Sequence, residues 1–288
     1  MEIDGQTRLY ILIGNPVAHS LSPLLYNTAF AVRKMNALYV ACPVKPELVS
    51  EAVAGLRALN AGGANVTSPH KEAVIPCLDQ MSDEAVQARS VNTIVNRAGK
   101  LIGETTDGRG FLADLEERAP SVRPGDPVLL IGAGGAARAV ALALVRHGYD
   151  QLYIANRTID KGRALADVLR GVFPGASCRI TGLAKDELHQ ALAACRLTVY
   201  CLTVDPEPVA AVLKDPALPL AGKVFYDLRY NPAVSDTAAL FRSRGGVVIN
   251  GRGMLYHQAV FAFELFTGQK APAEEMLAAY RKKQEKED

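Results

Sequence analysis

Residues 128–148 read VLLIGAGGAARAVALALVRHG, and this stretch decides the fold. Val128 to Ile131 is a short apolar run that stops at a glycine, the pattern of a buried strand entering a tight turn. From Ala136 the apolar residues recur at helical spacing until Gly148, which closes the helix. Gly132, Gly134 and Ala137 therefore form G-x-G-x-x-A between a strand and a helix. Gly132 permits the turn, Gly134 lets the backbone approach a pyrophosphate, and Ala137 is small enough for close helix packing. The helix N-terminus supplies unpaired N–H groups for the anion.

Working outward, LYIAN (152–156) is a second strand. An NAD-specific site of this kind places Asp or Glu about 20 residues after the glycines, to hold the ribose 2′-hydroxyl. Here the strand ends in Asn156, Arg157 and Thr158, with Lys161 one turn on. Positive charge and hydroxyl donors suit a 2′-phosphate, and a guanidinium can both stack on adenine and bind phosphate. The spacing thus favours NADP, with NAD as the alternative. LTVYCLTV (197–204), KVFYDLRY (223–230) and GVVIN (246–250) are further strands, giving a doubly wound sheet of five or six.

Toward the N-terminus strand and helix also alternate, which predicts a second, mostly parallel sheet. LYILIG (9–14), ALYVACPV (37–44) and GANV (63–66) read as strands, and SVNTIVNRAGKLIGETTD (90–107) as two short strands around a turn at Ala98–Lys100. Helices are expected from Pro23, over PELVSEAVAGLRALN (46–60), from near Pro69, and over GRGFLADLEERA (108–119). PSVRPGDP (120–127) reads as the approach to the second domain. After Asn250 come a long amphipathic helix, RGMLYHQAVFAFELFTG (252–268), and a charged terminal one ending in RKKQEKED.

The bulk numbers fit. A chain of 288 residues exceeds what one core usually serves, so two domains with a crevice between them are expected. A net charge of +2 lacks the basic footprint of a nucleic-acid binder and points to small molecules. The five cysteines form no C-x-x-C pair, and no His or Cys spacing suggests a metal. Neither a leader pattern nor a run of about 20 apolar residues is present, which makes the cytoplasm the expected compartment and excludes a membrane partner.

Polar residues cluster in GNPVAHSLSP (14–23), NVTSPHK (65–71) and TTDG (105–108). With SVNT (90–93), GAGGAAR (132–138), NRT (156–158), DLRYNP (227–232) and GRGML (251–255) followed by Gln258, their order and spacing resemble the shikimate dehydrogenase family across nearly the whole chain. The resemblance implies an α/β fold in which 1–107 and 250–288 form an N-terminal-type substrate domain around a Rossmann NADP-binding domain, 108–249. It implies reversible reduction of 3-dehydroshikimate to shikimate with NADPH, by a monomer or homodimer, in chorismate and aromatic amino acid biosynthesis. Lys71 and Asp107 are then the catalytic pair. Such chemistry needs a titratable group within hydrogen-bond reach of the reacting oxygen, and a Lys ammonium held by a carboxylate meets that need.

By the same resemblance Ser20, Ser22 and Tyr230 address the substrate carboxylate, and Thr67, Asn92, Asp107 and Gln258 the ring hydroxyls. Gly132, Ala133, Gly134, Gly135, Ala136, Asn156, Arg157, Thr158, Lys161, Thr203 and Gly253 are the implied cofactor contacts. Ser22 before Pro23 also suits an N-cap role, and His19 and His70 are neighbours without a catalytic role. The serine pair looks like the shikimate pattern. Relatives acting on quinate or aminoshikimate, some with NAD, share most of these motifs and remain the alternative. The chain departs from the family in Cys201-Leu-Thr-Val-Asp-Pro206, where Pro206 stands in place of a glycine, and at Arg252 in place of a small apolar residue. A non-catalytic nicotinamide-binding sensor is the more distant reading of that departure.

Overall fold

A computed structural model describes residues 3–285, so the last three residues of the charged terminal stretch lie outside the described part. The chain divides into two compact units, 1–110 with 256–288, and 111–255.

The first unit opens with β1 (Arg8–Gly14), α1 (Ser22–Val32) and β2 (Ala37–Pro43), followed by α2 (Val49–Ala58) and β3 (Gly63–Val66). It continues through β4 (Gln80–Met81), α3 (Asp83–Ala88), β5 (Thr93–Arg97) and β6 (Lys100–Glu104) to α4 (Asp107–Arg118). The strands lie in the order β2-β1-β3-β5-β6-β4. β1 runs parallel to β2 and β3, and β4 parallel to β6, while β5 is antiparallel to both neighbours. The β5–β6 pair is the expected hairpin: Ala98 and Gly99 adopt φ of 51° and 89°, the paired left-handed geometry that a two-residue turn between twisted strands requires.

The helix expected from Pro69 is not formed. Residues 67–74 run as turns, and only Ile75–Cys77 closes a 3-10 turn. Pro76 is the reason, since it would fall inside the second turn of such a helix without an N–H to donate. Lys71 consequently sits on an irregular segment fixed from outside: Val91 N donates to Lys71 O at 2.9 Å, and His70 is buried with its Nε2 2.7 Å from Val44 O.

The second unit holds β7 (Val128–Ile131), α5 (Gly135–Arg146), β8 (Gln151–Ala155), α6 (Ile159–Val172), β9 (Ser177–Thr181) and α7 (Lys185–Ala194). Then come β10 (Leu197–Tyr200), α8 (Glu207–Leu213), β11 (Val224–Asp227), α9 (Asp236–Ser243) and β12 (Val247–Asn250). Their order is β12-β11-β10-β7-β8-β9 with every pairing parallel, the doubly wound arrangement in which strand order reverses between β7 and β10. The chain enters this unit within α4 and leaves it within α10 (Arg252–Thr267), after which α11 (Ala273–Gln284) returns to the first unit.

Each sheet carries its own core. Val53, Leu56, Val66, Val74, Ile94 and Leu101 pack in the first unit; Leu129, Ile131, Leu192, Tyr200, Phe225 and Phe241 pack in the second. β7, β10 and β11 are buried along their whole length, which is why they read as nearly continuous apolar runs rather than alternating ones. No helix among the described residues is long and apolar enough to cross a membrane.

Candidate active site

The polar clusters of the first unit converge where strands end. β6 stops at Glu104, and Thr105 and Thr106 lead into α4, whose first residue is Asp107. A carboxylate in the first helical turn is favoured by the unpaired N–H groups there. Asp107 Oδ2 lies 2.5 Å from Lys71 Nζ, with the carboxylate side chain 5% and the lysine side chain 21% exposed. The lysine is therefore the partner open to a ligand.

Asn92, just before β5, fixes the other side of the carboxylate. Its Nδ2 donates to Asp107 Oδ1 at 2.9 Å and also lies within 2.9 Å of Thr106 Oγ1 and 3.2 Å of Gln258 Oε1. Its Oδ1 accepts from Thr106 N at 2.9 Å and from Thr93 Oγ1 at 3.0 Å. Thr106 Oγ1 in turn donates to Gln258 O in α10 at 3.1 Å. Lys71, Asn92, Asp107 and Gln258, four residues singled out from sequence, thus form one connected group within the first unit.

Thr67 follows β3, half-buried, its N–H donating to Ile13 O. Ser20 lies between β1 and α1 and Ser22 is the first residue of α1, with Ser22 N donating to Ser20 Oγ at 3.2 Å. The N-cap role expected of Ser22 is corrected: Leu21 holds that position with no side-chain cap, and Ser22 is already helical because the backbone turns one residue earlier. Ser22 is buried instead, beside Tyr39, whose phenol burial pushes well above its ordinary range while hydrogen bonding to Ser22 acts the other way.

A supporting chain lies beneath, and sequence reading missed it. Tyr39 OH donates to Asn65 Oδ1 at 2.7 Å, and Asn65 Nδ2 reaches Asn92 O at 3.2 Å and Thr93 Oγ1 at 3.1 Å. Thr106 was missed as well. Asn65 and Thr106 stand inside quoted motifs, so the signal was their motif membership, whereas Tyr39 offers only the apolar side of a strand.

In the second unit Gly132 turns at φ 116°, and an added Cβ there would lie 3.1 Å from Leu202 Cδ2 and 3.2 Å from Cys201 Cβ. Glycine is thus required both by backbone conformation and by the approach of the segment after β10. Gly134 is the N-cap of α5, offers no side-chain cap, and an added Cβ at it meets nothing within 4 Å. Ala133 is buried and Gly135 and Ala136 start the helix, so open space faces its free N–H groups. These residues fit a dinucleotide pyrophosphate.

At the end of β8, Asn156 Nδ2 donates to Thr158 O at 2.8 Å, shaping the turn. Arg157, Thr158 and Lys161 project into solvent, and neither cation is held in an ion pair among the described residues. Thr203 is exposed after β10, and Tyr230 is half-buried after β11, its phenol pushed up by burial. Gly253 lies in the first turn of α10, where a Cβ would overlap the Asp114 carboxylate that accepts from Tyr226 OH. No group of three or more His, Cys, Asp or Glu among the described residues is placed to hold a metal ion.

Residues 12–94 match the shikimate dehydrogenase substrate binding domain, 117–201 the shikimate / quinate 5-dehydrogenase family, and 251–279 the shikimate 5′-dehydrogenase C-terminal domain. A shikimate dehydrogenase (NADP(+)) of Symbiobacterium thermophilum is 42% identical over 96% of this chain and 94% of its own. Among solved structures, shikimate 5-dehydrogenase of Thermus thermophilus in complex with NADP(H) and shikimate superposes with a TM-score of 0.79, at 30% identity over 96% of this chain and 99% of that one. Quinate dehydrogenase of Corynebacterium glutamicum in complex with NAD superposes at 0.82, with 28% identity over 96% and 99%.

Proposed function

The chain belongs to the shikimate dehydrogenase family, and from that premise we propose that it reduces the C3 ketone of 3-dehydroshikimate to shikimate, reversibly and with NADPH. It serves aromatic amino acid biosynthesis as a cytoplasmic enzyme, monomeric or homodimeric, whose partners are small molecules. The first unit binds substrate and the second binds cofactor.

The observation that carries this reading is the Lys71–Asp107 pair at 2.5 Å, with the carboxylate gripped by Asn92 and the ammonium the more open partner. Bound NADPH supplies the hydride. Lys71 would give a proton to the substrate's carbonyl oxygen, and Asp107 would hold the ammonium in place. In the oxidative direction the alcohol proton returns to Lys71. Lys71 donates as the ammonium in one direction and accepts as the neutral amine in the other, which it can do only if it is oriented, and the carboxylate locked by Asn92 provides that orientation.

Ser20 and Ser22 receive the substrate carboxylate, and Thr67, Asn92 and Gln258 the ring hydroxyls, short side chains that both donate and accept. Gly132 to Ala136 cradle the pyrophosphate. Asn156, Arg157, Thr158 and Lys161 take the adenosine 2′-phosphate, and Thr203 and Gly253 belong to the nicotinamide side. That neither Arg157 nor Lys161 is in an ion pair among the described residues supports the phosphate role, because a cation already neutralised would bind an anion weakly.

Incubating the purified protein with 3-dehydroshikimate and NADPH, and identifying the product by chromatography and mass, tests the reading. Stoichiometric shikimate is expected. Oxidation of NADPH without it, or no reaction, contradicts the assignment.

A further inference from the structure

The segment after β10 departs from the family pattern at Val204–Pro206, and the second unit shows what holds it. Arg229, two residues beyond the end of β11, reaches across to it: Nη2 donates to Asp205 Oδ1 at 2.8 Å and to Asp227 Oδ2 at 2.9 Å, and Nε donates to Asp227 Oδ1 at 3.0 Å. The guanidinium also lies over the Tyr200 ring, 4.8 Å from its centroid. Tyr200 OH donates to Val204 O at 2.8 Å. Ser235 Oγ donates to Asp227 Oδ2 at 2.7 Å, so the far carboxylate is itself fixed. At its other end the segment passes into α8 through Pro206, whose ring limits the backbone to the φ of −70° found there.

The position of this segment matters because it packs against the glycine turn. Leu202 and Cys201 are the atoms an added Cβ at Gly132 would meet, and Cys201 N donates to Ile131 O at 2.9 Å. Thr203 follows directly. A displacement of 201–206 therefore changes the wall of the pyrophosphate turn. Burial raises the Asp205 carboxyl, but hydrogen bonding to Arg229 and Thr237, the charge of Arg229 and hydrogen bonding to Tyr200 together outweigh it and leave the group below its usual range, the direction expected of a carboxylate that is paired.

We infer that the Asp205–Arg229 ion pair is a positioning device for the cofactor: it clamps residues 201–206 against the Gly132 turn and so sets the affinity for NADP(H). The pair replaces by charge what a tight glycine turn does by conformation. When the clamp is released, part of the population holds the segment away from the cofactor-competent arrangement, and the apparent dissociation constant rises by the inverse of the competent fraction. The inference rests on the proposed role of the second unit in binding NADP(H).

Removing Arg229 also strips the cation from buried Asp227, so Asp205→Asn is the cleaner variant. The chain contains no tryptophan, which leaves NADPH fluorescence free of indole background in a direct binding titration. In Asp205→Asn the NADPH dissociation constant should rise about five- to twentyfold, while kcat at saturating cofactor stays within about twofold, because bound cofactor itself selects the clamped arrangement. Asp205→Glu, which keeps the carboxylate, should recover most of the affinity. Unchanged NADPH affinity in Asp205→Asn, with or without a lower melting temperature, overturns the inference. The binding titration needs no turnover: weakened NADPH binding in the variant of a protein that does not oxidise shikimate would sink the proposed activity and leave the clamp standing. Unaltered binding in a protein that does oxidise it would do the reverse.

Discussion

Asn92 Nδ2 donates to Asp107 Oδ1 over 2.9 Å, on the opposite oxygen from the one that takes Lys71, so the carboxylate is held from both sides. Asn92 is 3% exposed and Asp107 4%. Asn92→Ala leaves a buried carboxylate oxygen and the Thr106 N–H without partners, each costing about 1–3 kcal/mol. The variant should melt several degrees lower, and its kcat/KM for shikimate should fall about 10- to 1000-fold, with NADPH affinity unchanged. Thermal melts together with initial rates check this; unchanged kcat/KM would remove Asn92 from the site.

Lys71→Ala should lower kcat about a hundred- to ten-thousandfold, the usual worth of proton transfer by a placed group. Asp107→Asn should lower kcat by a similar order while keeping the hydrogen-bonding shape. Both should bind NADPH like the parent protein, since neither residue lies in the second unit. Rates at saturating substrate, paired with NADPH titrations, separate chemistry from binding.

Arg157 and Lys161 are exposed at the carboxyl end of β8. Replacing both with Ala should raise KM for NADP⁺ about ten- to a hundredfold and change KM for NAD⁺ by less than about threefold, because charge-assisted bonds to the 2′-phosphate are lost only with the former. The NADP⁺ value of the parent protein should also weaken as salt is raised. Equal effects on the two cofactors would take the pair out of phosphate recognition.

Gly253→Ala places a methyl on the buried Asp114 carboxylate, which already accepts from Tyr226 OH. Overpacking of this kind costs about 1–3 kcal/mol, so the denaturation midpoint should drop. A raised KM for NADP⁺ with no loss of stability would instead assign Gly253 to cofactor contact alone.

Both sheets were legible because β1, β7, β10 and β11 are short, mostly apolar runs stopped by turn residues, and the Ala98–Gly99 turn was legible from its composition. β9 escaped because Ser177–Thr181 is a polar edge strand with no fully buried position in its row. The helix at Pro69 was wrongly expected because the proline that favours a helix start was read without the one at 76 that ends it. Lys71, Asn92, Asp107 and Gln258 stand out through local motifs, yet the bonds joining them link residues up to 166 positions apart, which no local pattern encodes. Asp205 and Arg229 stood in plain view as an oddity of the 201–206 segment and an unremarked residue of DLRYNP. Their pairing depends on β10 and β11 lying side by side, a fact of topology.

The most direct measurement is the initial rate of reduced-nicotinamide formation by the purified protein with shikimate or quinate, each paired with NADP⁺ or NAD⁺. Turnover should be fastest with shikimate and NADP⁺, exceeding every other pair by at least about tenfold in kcat/KM. A preference for quinate or for NAD⁺ would contradict the reading of the Ser20–Ser22 pair or of the Asn156–Lys161 turn, and absence of turnover with all four pairs would contradict the catalytic role of Lys71 and Asp107.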